Sequence, residues 1–338
     1  MTTDNGQTDR SFFTRPIVFF FLLALVVAGA IISIEVLRRQ KASVQPHSAN
    51  LNAPLDHRAK VPFPREITDS SGAKLIIKEK PQRIFPQTLG TAEILLAICD
   101  PQRIVALHTI VDDAKYSPVI EEAKQVKGRA SSDAEQILQL KPDLIFISSY
   151  SKAEFVDLLK AANAPIFRFA DFDRIEDIKT NIRTVGYAIG EDEKAERLVA
   201  QMERDIENIK ARIPKGGPQP RVMSFGLSGD TAGSKTLFDD ILKTLGAINV
   251  SAQNGIVGYT NVSREQLTKW NPDLIVTGAD KNAIEEKRRA LLNDPAVATT
   301  NAGKNKRIIV IPNQFYLSVT HHQIKAIEQL AQELYQTK

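Results

Sequence analysis

Cysteine is nearly absent: Cys99 is the sole thiol in 338 residues. A lone thiol forms no intrachain disulfide and cannot build a Cys-based zinc site or an iron–sulfur cluster, which need several thiolates. Charge of one sign is also scarce, since 44 Lys and Arg stand against 40 Asp and Glu for a net +4. Nucleic-acid binders carry a marked basic excess on one face, so no electrostatic case for nucleic acid arises. Gly and Pro number 17 each, among 43% apolar and 25% charged residues. Those proportions exclude collagen-like, disulfide-scaffold and disordered chains. The length leaves room for two domains, at ~100–200 residues each, or one large one.

One long apolar run is present. Ile17 to Ile34 (IVFFFLLALVVAGAIISI) carries no charge, and as a helix it spans about 27 Å, close to the hydrocarbon thickness of a bilayer. A cleavable signal peptide has an apolar region of ~7–15 residues and a small-residue cleavage site, which Ala28-Gly29-Ala30 resembles. Cleavage there would strand Ile31-Ile32-Ser33-Ile34. The expectation is therefore a tail 1–16 and an uncleaved transmembrane anchor 17–37, holding the folded part on the extracytoplasmic side; release to the periplasm after cleavage is the alternative. Arg10 and Arg15 on one side and Arg38, Arg39 and Lys41 on the other leave orientation open. No cysteine stands just beyond the run, which argues against a lipoprotein anchor. Residues 38–64, with Pro46, Pro54, Pro62 and Pro64 and no apolar period, read as an extended linker.

Folded structure is expected from Arg65, where REITD and AKLIIK flank a Ser70-Ser71-Gly72 turn. Short apolar runs then alternate with helix-period segments. Predicted strands are Arg103–His108, Asp143–Ser148 and Pro165–Phe169, then Arg221–Phe225, Asp273–Thr277 and Arg307–Ile311; predicted helices include Thr91–Ile98, Ala153–Ala161 and Lys235–Leu245. Such alternation implies parallel sheets covered by helices. Between the halves, apolar residues recur at helical spacing over Glu191–Ile213 (Ala195, Val199, Met202, Ile206, Ile209) until Pro214-Lys215-Gly216-Gly217-Pro218 stops them. The expected organisation is a first α/β lobe over 65–190, a bridging helix over 191–213 and a second α/β lobe over 214–338.

An internal repeat is the most specific feature. Ala134 to Ile145 (AEQILQLKPDLI) matches Arg264 to Ile275 (REQLTKWNPDLI), with every pair offset by 130. That period is far too long for a solenoid, so it indicates two copies of one topology. Each copy is a short helix, a Pro-Asp stop and a buried strand, the proline disfavouring helix at the residue before it. Glu135 and Glu265 recur without being structural punctuation. The helix dipole accounts for a carboxylate at one helix start; at both, a shared functional face is an equal explanation.

Pro81-Gln82-Arg83-Ile84, Gly90-Thr91-Ala92-Glu93-Ile94-Leu95, Val126-Lys127-Gly128-Arg129, Glu135 to Ile145, and Val262 to Leu267 running on to Ile275 form an ordered set. Over Arg65 to Tyr335 the chain resembles the class III periplasmic substrate-binding proteins of ABC importers for vitamin B12, ferric siderophores and haem. The resemblance implies two Rossmann-like lobes with parallel sheets joined by a single long bridging helix, ligand held between them and little hinge closure. It further implies that a glutamate on each lobe docks onto arginines of the permease, the matching positions being Glu135 and Glu265. The partners implied are the permease, its ATPase and a metal-chelate ligand, with the membrane reached through the N-terminal helix; no resident cofactor is expected. A membrane-tethered sensor for the same ligand class is the second reading.

Open α/β sheets bind ligands at the carboxyl ends of their strands. Loops there place Tyr116, Arg129, Tyr150, Tyr259, Phe315, Tyr316 and His321 as ligand-binding candidates, since aromatics give a flat ligand broad contact with few rotors to freeze. Thr320-His321-His322-Gln323 reads as a capping box opening the last helix, which would keep the imidazoles neutral; His321 is then an axial-ligand candidate, with His108 as its alternative. Catalysis is not expected. Gly229 to Thr236 imitates a phosphate loop with the wrong spacing, and Asp112, Asp113, Asp171 and Asp173 lack an accompanying nucleophile or metal set. Four aromatics and scattered histidines favour a chelate over a bare ion. Few arginines, Arg129 and more weakly Arg168, place corrinoid and haem ahead of an anionic siderophore.

Overall fold

The computed structural model describes residues 47–48, 61–216 and 219–335, all within the compact unit His47–Lys338. The expected anchor 17–37 and most of the linker 38–64 lie outside the described residues. Among the described residues no helix is long and apolar enough to cross a membrane.

Arg65–Thr68 and Lys74–Ile77 pair antiparallel. Asp69 closes their turn by accepting from the backbone N–H groups of Ser71 and Ala73. Two larger parallel sheets follow, beside a two-stranded parallel pair of Leu107–His108 with Arg129–Ala130. In the first, Leu144–Ser148 lies between Ile84–Pro86 and Ile166–Phe169. The second runs Ile248–Asn249, Arg221–Ser224, Leu274–Ala279, Ile308–Pro312. The middles of the central strands are apolar because both of their faces are covered. Leu144 and Phe146 enter one core cluster and Ile145 and Ile147 another. In the second sheet Val276, Ile309 and Ile311 oppose Ile275, Ile308 and Val310 in the same way. The chain is thus an α/β protein with parallel sheets, supplemented by a short antiparallel pair, Asp230–Ala232 with Tyr259–Asn261, that the sequence reading did not contain. Of the predicted strand Arg103–His108, only Leu107–His108 is a strand: Pro101 starts a 3₁₀ turn that takes up Arg103.

The repeat folds the same way twice. Asp133 and Ser263 cap the helices Ala134–Gln139 and Arg264–Trp270. Each helix ends at a residue driven to positive φ before its proline, Lys141 at 48° and Asn271 at 46°. The next residue locks the strand start: the Asp143 N–H donates to the Arg83 carbonyl, and that of Asp273 to the Arg221 carbonyl. Pro-Asp therefore both stops a helix and anchors a strand edge.

The long helix is Asp192–Ala211, about 30 Å, and it does not run alone. An unforeseen helix, Ile175–Ile189, folds back against it, with ion pairs Lys179–Glu203 and Arg183–Glu196 fixing the antiparallel register. The pair is tied at both ends. Glu191 takes Lys80 and Arg103 from the first half, while Ile175 donates its N–H to Asp240 and Arg212 pairs with Glu328 in the second. Ile182, Val185, Val199, Met202 and Ile206 share one core cluster with Leu144 and Val276. The joint between the halves is therefore continuous buried core. At its foot Arg65, 4% exposed, sits between the rings of Phe63 and Tyr187, 4.7 and 4.5 Å from their centroids, and pairs with Asp192 at 2.7 Å.

Candidate functional site

A cavity of about 440 Å³ opens at the carboxyl end of the second sheet. Its floor lies between Val276 and Ile311 on the strands and Ile241, Ala326 and Leu330 on two helices; its rim carries Asp230, Tyr259, Asn261 and Tyr316. Backbone positions without side chains set that rim. A Cβ at Gly278 would meet the Tyr316 ring at 2.6 Å, so glycine there lets the ring lie on the strand, and Gly226 likewise leaves space for the Asp230 carboxylate. Burial pushes the Tyr316 phenol up to about 12 despite its hydrogen bond with Ser224; the charge of Asp230 pushes the same way. Tyr259 is 71% exposed as a residue; partial burial, then the charge of Asp173, push its phenol up. Asp173 belongs to the first half, so this is where the halves face each other.

The first half is acidic there. Asp171, Asp173 and Asp177 border a second, polar cavity of about 580 Å³ with Arg174 and Lys235. Asp177 is committed, pairing with Arg174 and accepting the Asp173 N–H. Burial, then Asp177 and Asp171, push the Asp173 carboxyl up. Alongside, Tyr150 packs on Phe172 with centroids 6.1 Å apart.

Behind this face a carboxyl joins the halves directly. Glu93, on the helix Leu89–Ile98 and 2% exposed, accepts from the Thr320 hydroxyl and, at 3.4 Å, from that of Ser318. Burial outweighs both hydrogen bonds and pushes Glu93 up to about 7.

The structure brings Tyr259 and Tyr316 together on one cavity and sets Tyr150 against Phe172 beside Thr88, Thr91 and Thr320. It leaves the other candidates apart from these linings. Tyr116 lies in a turn, its N–H bonded to the Asp113 carbonyl. Arg129 is consumed locally by Asp112, at 2.7 Å, and by the carbonyls of Ala123, Val126 and Gly128. Phe315 packs on the large core cluster. His321 stacks on His322, centroids 4.1 Å apart; burial and then His322 push it down to about 3, and its Nδ1 has no hydrogen-bond partner among the described residues.

The expected capping box does not form. Thr320 is turned to the buried Glu93 carboxyl, the Gln323 amide faces the carbonyls of Phe315 and Ser318, and the last helix begins only at Gln323. His108 is also engaged: Nδ1 accepts from Ile110 and Nε2 meets Ser132 at 3.1 Å. The phosphate-loop look-alike folds as strand Asp230–Ala232 and a helix capped by Thr236, whose first turn holds Asp239 and Asp240 where an anion would sit. Glu135 and Glu265 are exposed at equivalent positions of the repeated helices. Sequence reasoning missed Glu93, Asp230 and Asn261. Glu93 stood in a quoted motif, but nothing local distinguishes a buried carboxyl from a helix-surface one.

Three comparisons bear on this geometry. The family described as periplasmic binding protein matches residues 88–315. An uncharacterised ABC transporter substrate-binding lipoprotein of Bacillus subtilis, YvrC, is 25% identical over 81% of this chain and 86% of its own length. A cobalamin-binding protein of Halobacterium salinarum is 24% identical over 71% of this chain and 67% of its own. Among solved structures, the periplasmic heme-binding protein RhuT of Roseiflexus sp. RS-1 in apo form superposes with a TM-score of 0.64 at 25% identity, covering 75% of this chain and 98% of that one.

Proposed function

We propose, from the premise that this chain belongs to the periplasmic binding protein family, that it captures a metal chelate of the corrinoid class between its two halves and delivers it to a membrane permease. It is the substrate-binding component of an ABC importer, a non-enzymatic part that works with a permease and a small ligand. The chelate is the finer step, and one observation carries it: the aromatic cavity opens beside an acidic face. Asp171, Asp173 and Asp230 border the cavities; of the cations there Arg174 is paired with Asp177, which leaves Lys235, while Arg129 is tied to Asp112. Like charges set against a bound anion cost free energy. Haem carries two carboxylates and many ferric siderophores are anionic, whereas a corrinoid with an amide periphery presents neutral donors and acceptors that Asn261, Tyr259 and the aspartates suit. The relative named for cobalamin binding supports the same choice.

The remaining roles follow from placement. Two lobes held by the helix pair keep the cleft preformed, and Glu135 and Glu265, one on each half, serve as the docking pair for permease arginines. An N-terminal anchor over 17–37 would hold the protein beside its permease at raised effective concentration. The test is a spectral titration of the full chain with cobalamin, haemin and a ferric hydroxamate. Cobalamin retained through gel filtration, with haemin bound more weakly, is the expected result. Tight binding of free Zn²⁺ or Mn²⁺ with no chelate retained overturns the reading.

A further inference from the structure

The cavity of the second half runs from exposed rim residues to buried core side chains. A planar ligand lying between the halves meets the rim, where Tyr259 and Asp173 face each other. Below the rim the space continues between the central strands and the helices Leu237–Thr244 and Gln323–Tyr335, walled by Ile241, Val276, Ile311, Ala326 and Leu330. All five are buried. Close-packed interiors hold few voids larger than a water molecule, and an apolar cavity of ~150 Å³ already takes up benzene. The whole cavity, rim included, measures about 440 Å³, more than a packing remainder.

Its polar neighbours are mostly engaged. The Thr231 hydroxyl donates to the Ser224 carbonyl, and the Gln323 amide holds the Phe315 and Ser318 carbonyls. Asp230 differs. Its Oδ1 accepts from the Ser228 hydroxyl, while Oδ2 has no hydrogen bond among the described residues and stands at the mouth of the cavity. An apolar chamber with a charged, unengaged acceptor at its entrance favours an apolar body with a donor at its outer edge.

We propose that this cavity is a binding recess for an uncharged aromatic group of one or two rings that carries a hydrogen-bond donor, accepted by Asp230. On the importer reading above, on which this part rests, the group belongs to the cargo and enters the recess as an arm while the rest of the ligand stays between the halves.

The full chain titrated with 2-naphthol, followed by the probe's fluorescence, tests the recess. One saturable site per chain is expected, weakened at least about tenfold by Ala326→Phe and by Ile241→Phe, which fill the space from two different helices. 2-Methoxynaphthalene, lacking the donor, should bind more weakly than 2-naphthol to the unaltered chain and equally to Asp230→Ala. Absence of saturable binding, or undiminished binding by whichever filling variant keeps its native circular dichroism, overturns the proposal. Should 2-naphthol bind as expected while no chelate binds, the chelate reading falls and the recess stands; chelate binding without 2-naphthol binding gives the reverse.

Discussion

Glu93→Gln isolates the carboxyl that joins the halves. Glu93 is 2% exposed and burial lifts it from an ordinary 4.5 to about 7. Moving a carboxyl that far makes its ionised form cost about 3 kcal/mol more in the folded than in the unfolded chain. The sign follows from which state holds the proton. Below pH 4.5 both states are protonated and nothing is lost. Between 4.5 and about 7 the unfolded chain releases its proton and the folded chain keeps it, so stability falls as pH rises; above about 7 the whole loss stands. Glutamine keeps the shape, accepts from Thr320 through its carbonyl, and never ionises. Urea unfolding of both proteins across pH 4.5 to 8 should show them near equal at the acid end, with the variant gaining about 3 kcal/mol over the unaltered chain by the alkaline end. His321, pushed down to about 3, loses stability in the opposite direction as pH falls below its ordinary 6.5, but that contribution is common to both proteins and cancels in the difference. A difference flat within about 1 kcal/mol across the range, or one in which the variant loses ground as pH rises, would refute the reasoning.

Two further outcomes are expected. Asp192→Ala leaves the buried Arg65 guanidinium without its carboxylate and should cost about 3–5 kcal/mol in urea unfolding; a cost under about 1 kcal/mol would mean that the carbonyls of Val61 and Tyr187, which Arg65 also holds, satisfy it unaided. Replacing Glu135 and Glu265 together by glutamine should abolish uptake in cells expressing the cognate permease while leaving cargo affinity of the purified protein unchanged, because both side chains are exposed; parallel loss of uptake and affinity would make them structural.

What was legible in the sequence is what short-range chemistry dictates. The repeat revealed two copies of a helix, a stop and a buried strand, because proline geometry and the capture of the Asp143 and Asp273 N–H groups act over a few residues or one strand edge. The strand Leu144–Ser148 was visible through its apolar run Leu144 to Ile147, because both of its faces are covered. The helix Ile175–Ile189 was not foreseen, although Ile175, Ile178, Ile182, Val185 and Ile189 recur at helical spacing. Of the candidates, Tyr259 and Tyr316 line one cavity, whereas the Arg129 guanidinium is paired with Asp112 seventeen residues earlier, which a loop position does not reveal. Glu93 and Asp230 depend on groups brought together by the fold, Thr320 in one case and the bare backbone of Gly226 in the other.

The continuous core through the joint bears on how such a molecule signals that it is loaded. A hinge that closes on its ligand needs a connection with little buried surface, since bending it must not open apolar contacts to water. Here the connection is a helix pair whose buried face belongs to the same cluster as both sheets, ion-paired along its length and fastened at both ends. Glu93 adds a buried tie near the cleft itself. Large closure would expose Val199, Met202 and Ile206 at about 25 cal/mol per Å², so the distance between Glu135 and Glu265 is set by the fold and not by the cargo. A permease reading that distance would meet the same pair on loaded and empty molecules. On the proposed docking role of Glu135 and Glu265 and the proposed ligand site, discrimination would come from the cleft, where a cargo would cover or leave open Asp173 and Asp230.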